Sequence, residues 1–199
     1  MVGIIDYGVG NLFSLRSSIA ASGVEAVVSG DAGELKKADR LILPGVGAFG
    51  DAAEKLRASG LDAFVREQAA AGKPLMGICL GMQLLFERSY EYGDHEGLGL
   101  LKGQVVGMSG RLPEGLKIPH MGWNALKLTK SAKLLEEGSY VYFVHSFYAE
   151  NCEDSLAAVT DYGIPITAAV EKDIIFGCQF HPEKSGNVGL AILKKFCEV

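Results

Sequence analysis

The sequence lacks several features that would indicate particular classes of protein. It has no run of about 18 apolar residues, the length needed to cross a bilayer. Asp6 also interrupts the N-terminal apolar segment too early for a signal peptide. It has no basic excess, because 19 Lys and Arg stand against 24 Asp and Glu and give a net charge of −5. We therefore expect no membrane insertion and no nucleic-acid binding, and we predict a cytoplasmic protein.

Cysteine is scarce and irregularly spaced. The four cysteines include no Cys-x-x-Cys pair, so we expect free thiols rather than disulfides or a zinc site. No metal or organic cofactor is indicated. The sequence also has no repeat, linker or low-complexity segment, and 48% of its residues are hydrophobic, which suffices for a sizeable core. We predict a single domain over residues 1–199 and exclude a coiled coil or a disordered chain.

What the sequence does contain is a regular alternation of apolar strands and helical patterns in its first half. Strands are predicted at residues 2–5, 25–28, 40–43 and 75–78. Helices are predicted at residues 12–20, 33–37, 51–71 with a break near Gly60, and 82–86. Four continuous apolar strands separated by helices predict an α/β fold, in which a mainly parallel sheet is covered by helices on both faces.

The second half of the chain is rich in short strands joined by brief turns. These strands are predicted at residues 104–108, 124–128, 140–144, 156–160, 166–171 and 174–180, and a helix at residues 189–197 closes the chain. Strands without intervening helices indicate a mixed or antiparallel arrangement. The central sheet is therefore expected to be mixed.

A nucleophile-elbow pattern stands at residues 77–81, Gly-Ile-Cys-Leu-Gly, at the end of a strand and directly before a helix. The glycines permit a sharp turn and close approach of a substrate, and the helix N-terminus favours a thiolate on Cys79. A buried structural cysteine is the alternative, and the motif alone does not decide between the two. Cys178, which has no glycine on both sides, is expected to pack in the core.

A cysteine nucleophile needs a base, and His181 is the best placed of the four histidines. It ends the predicted strand 174–180, so it would lie with Cys79 at the carboxyl edge of the sheet. Pro182 stiffens the chain, and Glu183 is expected to project to the same side from an extended segment and accept the second N–H of His181. Taken alone, the pattern is more typical of a capped turn. Together with the elbow, it favours catalysis.

Two glycine-rich turns follow other strands. Residues 44–47, Pro-Gly-Val-Gly, would lie beside the elbow, where backbone N–H groups of Val46 and Leu80 can form an oxyanion hole. The alternative is an ordinary turn. Residues 8–10, Gly-Val-Gly, match a dinucleotide fingerprint only in part, because Phe13 stands where the third glycine belongs. We interpret them as a tight strand-to-helix turn, with Asn11 placed to cap the helix.

These residues together resemble the class I glutamine amidotransferases, whose pattern is a cysteine elbow and a late His-Pro-Glu on a mixed α/β sheet. Residues 77–83 and 180–183 match that pattern without a gap. Further segments are similar to the family of glutaminase subunits of imidazole glycerol phosphate synthase, of the histidine pathway: residues 6–11, 44–49, 119–124, 144–146 and 181–185. The resemblance covers essentially the whole chain and implies a single amidotransferase domain with a flavodoxin-like three-layer fold.

The resemblance also implies roles for individual residues. Cys79 would be the nucleophile, His181 the general base and then acid, and Glu183 its orienter, in the hydrolysis of glutamine to glutamate and ammonia through a thioester. Substrate contacts are implied for Gly47, Gln83, Glu91, Ser146 and Phe147. A carboxylate at Glu91 suits the ammonium group of glutamine. The alternative for Glu91 is a solvated charge after a helix.

The sequence contains no recognisable acceptor-substrate domain or phosphate-binding loop, so the ammonia needs a partner. The resemblance implies the cyclase subunit HisF, a (β/α)₈ barrel that receives ammonia through a channel. HisF converts a phosphorylated ribulosyl ribonucleotide (PRFAR) into imidazole glycerol phosphate and AICAR. The docking side of such a heterodimer would include Asn11, Trp123, Tyr142 and Lys184, although Trp123 suits the core equally well by sequence.

Other functions stay open at this point. One is the glutaminase of another pathway, such as pyridoxal phosphate synthesis. The others are a cysteine peptidase or esterase, and a non-catalytic binding module that keeps the fold.

Overall fold

The computed structural model describes all 199 residues, Met1–Val199. The helices are α1 Leu12–Ala21, α2 Ala32–Leu35, α3 Phe49–Ala58, α4 Leu61–Ala70, α5 Leu80–Leu84 and α6 Gly186–Glu198, and a 3-10 turn spans Pro182–Lys184. The first seven strands are β1 Val2–Ile5, β2 Ala26–Ser29, β3 Arg40–Leu43, β4 Leu75–Ile78, β5 Phe86–Ser89, β6 His95–Glu96 and β7 Leu101–Gly107. The others are β8 His120–Ala125, β9 Lys127–Leu128, β10 Tyr140–His145, β11 Phe147–Glu150, β12 Leu156–Asp161, β13 Pro165–Lys172 and β14 Ile175–Cys178.

Eight strands form the central sheet, in the order β2-β1-β3-β4-β14-β13-β12-β9. The pairings from β2 to β14 are parallel, and those from β14 to β9 are antiparallel. The predicted fold class, α/β with a central mixed and mainly parallel sheet, is confirmed. The fifth parallel strand, β14, comes from the second half of the chain and lies next to β4.

Helices cover both faces of this sheet because successive strand residues point to opposite sides. On β3, Leu41 and Leu43 belong to a buried cluster with side chains of α3 and α4. Ile42 between them belongs to the opposite cluster, which contains side chains of α1 and α6. The result is three layers. Each helix is too short or too polar to cross a membrane.

Most predicted helices and strands are confirmed, including the break between α3 and α4 at Gly60, whose φ is +72°. Three predictions are wrong in part. Phe86 begins β5 instead of continuing a helix, since α5 has only five residues. The predicted strand 124–128 is interrupted at Leu126, and the predicted strand 174–180 ends at Cys178.

Strands β5, β6 and β11 were not predicted from the sequence, and they join β7 in a second sheet of four strands. These segments are four residues long or fewer, too short for a clear alternation of apolar and polar residues. Their pairing with other strands stabilises them instead.

Candidate functional site: a cysteine–histidine cavity

Cys79 lies in the turn between β4 and α5, at the carboxyl edge of the sheet. Its φ of +54° and ψ of −113° fall outside the usual regions for L residues, which is the strain typical of a nucleophile elbow. The turn requires glycine on both sides. A Cβ on Gly77 would lie 2.6 Å from the carbonyl oxygen of Gly81, and a Cβ on Gly81 would overlap the carbonyl oxygen of Leu43.

His181 and Glu183 form a buried pair near the elbow. Nδ1 of His181 is 2.9 Å from Oε1 of Glu183, and both side chains are 3% exposed. The sequence predicted an extended segment here, and that prediction is wrong. Pro182–Lys184 forms a 3-10 turn, which brings the Glu183 side chain back to His181. Burial pushes the pKa of His181 down, but its interactions with Cys79 and Glu183 outweigh burial and raise the pKa to about 9. An imidazolium can therefore persist at neutral pH beside the sulfur.

The sulfur of Cys79 has a further polar neighbour that the sequence analysis missed. Nε2 of Gln179 lies 3.7 Å from Sγ, and the Gln179 side chain is completely buried. Gln179 therefore donates an N–H to the sulfur of Cys79. The available signal was the position of Gln179, directly before residues 180–183 and after the end of β14.

All the predicted catalytic, oxyanion and substrate residues except Glu183 line one cavity of about 330 Å³. These residues are Val46, Gly47, Cys79, Leu80, Gln83, Glu91, Ser146, Phe147 and His181. Glu183 contacts His181 without lining the cavity. His145 also lines the cavity, and no role was predicted for it from the sequence.

The turn at residues 44–47 lies beside the elbow because β3 and β4 are neighbours. A Cβ on Gly45 would lie 2.7 Å from the backbone nitrogen of Gly81. The buried Tyr7 hydroxyl donates to the carbonyl of Pro44 at 2.8 Å and so anchors the start of this turn. The N–H of Val46 has no backbone acceptor, and Leu80 begins α5, where an N–H has no acceptor within the helix. Two unused N–H groups thus adjoin the cavity.

Two further residues of the cavity, Glu91 and Gln83, present acceptors. Glu91 is 7% exposed, so its interpretation as a solvated charge is wrong, and burial raises its pKa. One carboxylate oxygen, Oε2, accepts from the N–H of Phe49 at 2.7 Å, which leaves Oε1 for a ligand. Gln83 donates its amide protons to the Phe147 carbonyl at 3.1 Å and to Gln179 Oε1 at 2.9 Å. Its free atom is therefore the acceptor Oε1.

Three of the four residues predicted for a docking side lie together. Trp123 is 55% exposed, so its alternative as a core residue is wrong. Its ring meets the Tyr142 ring edge-on at 6.2 Å, and Nζ of Lys184 lies 5.9 Å from the centre of the Tyr142 ring. Asn11 occupies the N-cap position of α1, but its side chain makes no capping hydrogen bond, contrary to expectation. The preceding residues 8–10 form the expected tight turn, with positive φ at both glycines.

The remaining thiols lie elsewhere. Cys178 is buried in the core and donates weakly to the carbonyl of Gly77, and burial raises the pKa of its thiol well above the usual range. All four cysteines are free. No group of three or more His, Cys, Asp or Glu side chains is arranged to hold a metal ion.

Comparison with known proteins finds similar sequences over the whole chain. The family model of "Glutamine amidotransferase class-I" matches residues 3–199. The chain is 52% identical to "Imidazole glycerol phosphate synthase subunit HisH" of Wolinella succinogenes, over 100% of both chains. It is 48% identical to the HisH subunit of Bacillus subtilis, over 100% of this chain and 96% of that protein.

Solved structures share the fold at lower identity. One glutamine amidotransferase matches with a TM-score of 0.77 and 20% identity, over 100% of this chain and 99% of that one. A chain of PurLQS from Thermotoga maritima matches with a TM-score of 0.74 and 20% identity, over 99% and 97% of the two chains.

Proposed function

The chain belongs to the class I glutamine amidotransferases, in the HisH family of imidazole glycerol phosphate synthase subunits, and from this premise we propose how its cavity works. The chain hydrolyses glutamine to glutamate and ammonia through Cys79 and supplies the ammonia to a cyclase partner. The observation that carries this proposal is the strained Cys79 elbow sharing one cavity with His181, which is itself paired with Glu183 at 2.9 Å.

In the first half of the reaction, the Cys79 thiolate attacks the carboxamide carbon of glutamine. The N–H groups of Val46 and Leu80 stabilise the resulting oxyanion, and one such donor is typically worth a factor of about 10²–10³ in rate. The imidazolium of His181 gives its proton to the departing nitrogen, so that ammonia leaves and a glutamyl thioester remains on Cys79.

In the second half, water attacks the thioester carbonyl. Neutral His181 takes a proton from this water, the C–S bond breaks, and glutamate leaves while the thiolate and the imidazolium are restored. Throughout, Glu183 accepts the Nδ1–H of His181, which orients the ring and stabilises its charged form.

Glutamine itself is held by complementary charge and hydrogen bonds. We assign its ammonium group to the free oxygen of Glu91, whose other oxygen is fixed by Phe49. Oε1 of Gln83 accepts an N–H of the substrate, and backbone groups of Gly47, Ser146 and Phe147 complete the site. The steps proposed above balance without a cofactor.

The partner is a cyclase, HisF, in a cytoplasmic heterodimer. The names of the relatives, which are subunits of imidazole glycerol phosphate synthase, support a partner subunit. The docking surface consists of exposed Trp123 and Lys184 with half-buried Tyr142 between them. Asn11 joins it at the start of α1, a helix that contacts the 3-10 turn. HisF uses the ammonia to convert PRFAR into imidazole glycerol phosphate and AICAR.

The decisive experiment measures glutamate release from glutamine by the purified chain, alone and with HisF and its nucleotide ligand. We expect low activity alone and a rise in the complex. Cys79→Ala should abolish glutamate release and leave the cyclase reaction intact when ammonium salts replace glutamine. Loss of both reactions would mean that Cys79 is structural.

The same assay tests the alternatives. Cleavage of peptide substrates without a partner would favour a peptidase. Activation by the synthase of another pathway, but not by HisF, would reassign the partner. No activity in any combination, with Cys79 no more reactive toward iodoacetamide than the other three thiols, would favour a binding module.

A further inference from the structure

Two buried histidines that the reaction above does not use face each other across a strand pair. His120 on β8 and His145 on β10 are direct partners in an antiparallel ribbon of two strands. The outer side of this ribbon is exposed at Met121, Trp123 and Tyr140. The two histidines lie on the inner side, where 6% or less of each is exposed. Only His145 reaches the cavity that contains Cys79.

The hydrogen bonds of the pair determine which ring nitrogens carry protons. Nδ1 of His145 is 2.8 Å from the carbonyl oxygen of Phe147, and a carbonyl only accepts, so this Nδ1 bears the proton. In the neutral ring Nε2 then has none, and it must accept from Nδ1 of His120 at 3.0 Å. His120 is thereby a Nδ1–H tautomer as well. Its Nε2 accepts from Nδ2 of Asn124 at 3.4 Å, so every hydrogen bond points the same way.

The surroundings keep both rings neutral and fixed. The His120 ring stacks on Phe143 and Tyr162, with ring centres 4.8 and 4.1 Å apart. Burial lowers the pKa of His120 to about 4 and that of His145 to about 3. A polar pair in such a place costs desolvation energy, and an apolar pair of similar volume avoids that cost. Stability alone therefore does not explain why two hydrogen-bonded histidines occupy this position.

The end of the hydrogen-bonded chain lies in the glutamine pocket. The Phe147 carbonyl accepts from His145 and also from Nε2 of Gln83, which occupies both of its acceptor positions. The same Nε2 donates to Gln179. With its amide nitrogen held by two acceptors, Gln83 can present only Oε1 to the cavity. Release of the Phe147 carbonyl would free the Gln83 amide to rotate.

We propose that His120 and His145 are positioning residues, which hold the Phe147 carbonyl and through it the orientation of Gln83 in the glutamine pocket. The inference rests on the proposed glutaminase function. His120 itself does not line the cavity, and in this proposal it acts on glutamine binding through its hydrogen bond to His145.

Histidine NMR tests the geometry without any measurement of activity. In ¹⁵N-histidine-labelled protein at pH 7, both signals should show a protonated Nδ1 and an unprotonated Nε2, with each signal assigned by its loss in a single variant. A Nε2–H tautomer at either His120 or His145 would overturn the proposal. This measurement also decides the matter if the kinetic variant below does not fold.

A matched pair of variants tests the positioning role in the complex with HisF. Asn at position 120 places an N–H where Nδ1 stands, whereas Leu fills the space without a donor. We expect His120→Leu to raise the KM for glutamine about five- to tenfold, the loss of one neutral hydrogen bond, with a smaller change in kcat. His120→Asn should restore KM to within about threefold of wild type.

Equal KM values in His120→Leu and wild type, or equal rises in the Leu and Asn variants, would refute the role. Failure of the proposed function gives a different result. In that case wild-type protein releases no glutamate with HisF, while the tautomers of the two histidines still report on the pair.

Discussion

The replacement Glu183→Gln separates the charge of Glu183 from its hydrogen bond. Glutamine keeps a carbonyl oxygen that can accept the Nδ1–H of His181, so the ring retains its orientation and tautomer. What disappears is the negative charge 2.9 Å from Nδ1. We predict that the alkaline side of the pH–rate profile for glutamine hydrolysis moves to lower pH.

The magnitude follows from the position of His181 in the fold. Its pKa is about 9 instead of the ordinary 6.5, a difference of about 3 kcal/mol in favour of the imidazolium at 1.36 kcal/mol per unit. Cys79 and Glu183 share this effect against burial. One opposite charge at hydrogen-bond distance moves a pKa by about 1–3 units. We expect the variant to lose about 1–2 of these units, since Cys79 remains.

The assay is kcat/KM for glutamine between pH 6 and pH 10, in the complex with HisF. In wild type the rate should fall as pH rises through about 9, because deprotonated His181 cannot give a proton to the leaving ammonia. In Glu183→Gln the fall should begin one to two pH units lower. At pH 8.5 this amounts to a loss of about 3- to 12-fold beyond any loss at pH 7.

Glu114→Gln is the control, because it removes the same charge from an exposed surface position and should leave the profile unchanged. Two results would refute the reasoning. One is an alkaline fall at the same pH in wild type and Glu183→Gln. The other is a wild-type rate that keeps rising through pH 10, which would show that no imidazolium is needed.

Three further predictions concern stability and docking. Because the pKa values of His120 and His145 are lowered to about 4 and about 3, the unfolded chain binds more protons than the native chain below pH 6.5. The free energy of unfolding should therefore fall by several kcal/mol from pH 7 to pH 4, and less so in His120→Asn, as urea titrations can measure. Gly81→Ala should prevent folding or cost more than about 4 kcal/mol, because its Cβ overlaps the Leu43 carbonyl. Gly72→Ala, with φ of +84° and open space around it, should cost only about 1–2 kcal/mol; equal losses in these two variants would contradict the elbow geometry. Trp123→Ala should leave the melting temperature unchanged, because the ring is half exposed. The same variant should bind HisF at least about 30-fold more weakly by calorimetry, as expected for an aromatic interface anchor. Unchanged affinity would show that the docking surface lies elsewhere.

The catalytic part of the candidate site was predictable because its signals are local. Residues 77–81 predict a sharp turn after an apolar strand, and the turn sterically requires glycine at both ends. His181 and Glu183 are two residues apart, so their contact depends little on the rest of the chain. Even there, the predicted extended conformation of residues 181–183 was wrong, since Pro182 starts a 3-10 turn.

The polar network around the cavity was not predictable in the same way. Gln179 and Gln83 are 96 residues apart in the chain, and His120 and His145 are 25 apart. None of these four residues stands in a sequence motif from which its hydrogen-bond partner could be predicted. Only the pairing of β4 with β14 and of β8 with β10 brings these side chains within hydrogen-bond distance.

Sequence by itself determined the alternation of strands and helices, the elbow at Cys79 and the pair of His181 and Glu183, because periodicity, glycine sterics and short spacing act over a few residues. Tertiary structure alone decided that β14 extends the parallel sheet, that Trp123 is exposed, and that the buried amides and imidazoles form one chain of hydrogen bonds. A buried polar group must find a partner wherever the fold supplies one, and that choice is made by strands far apart in the sequence.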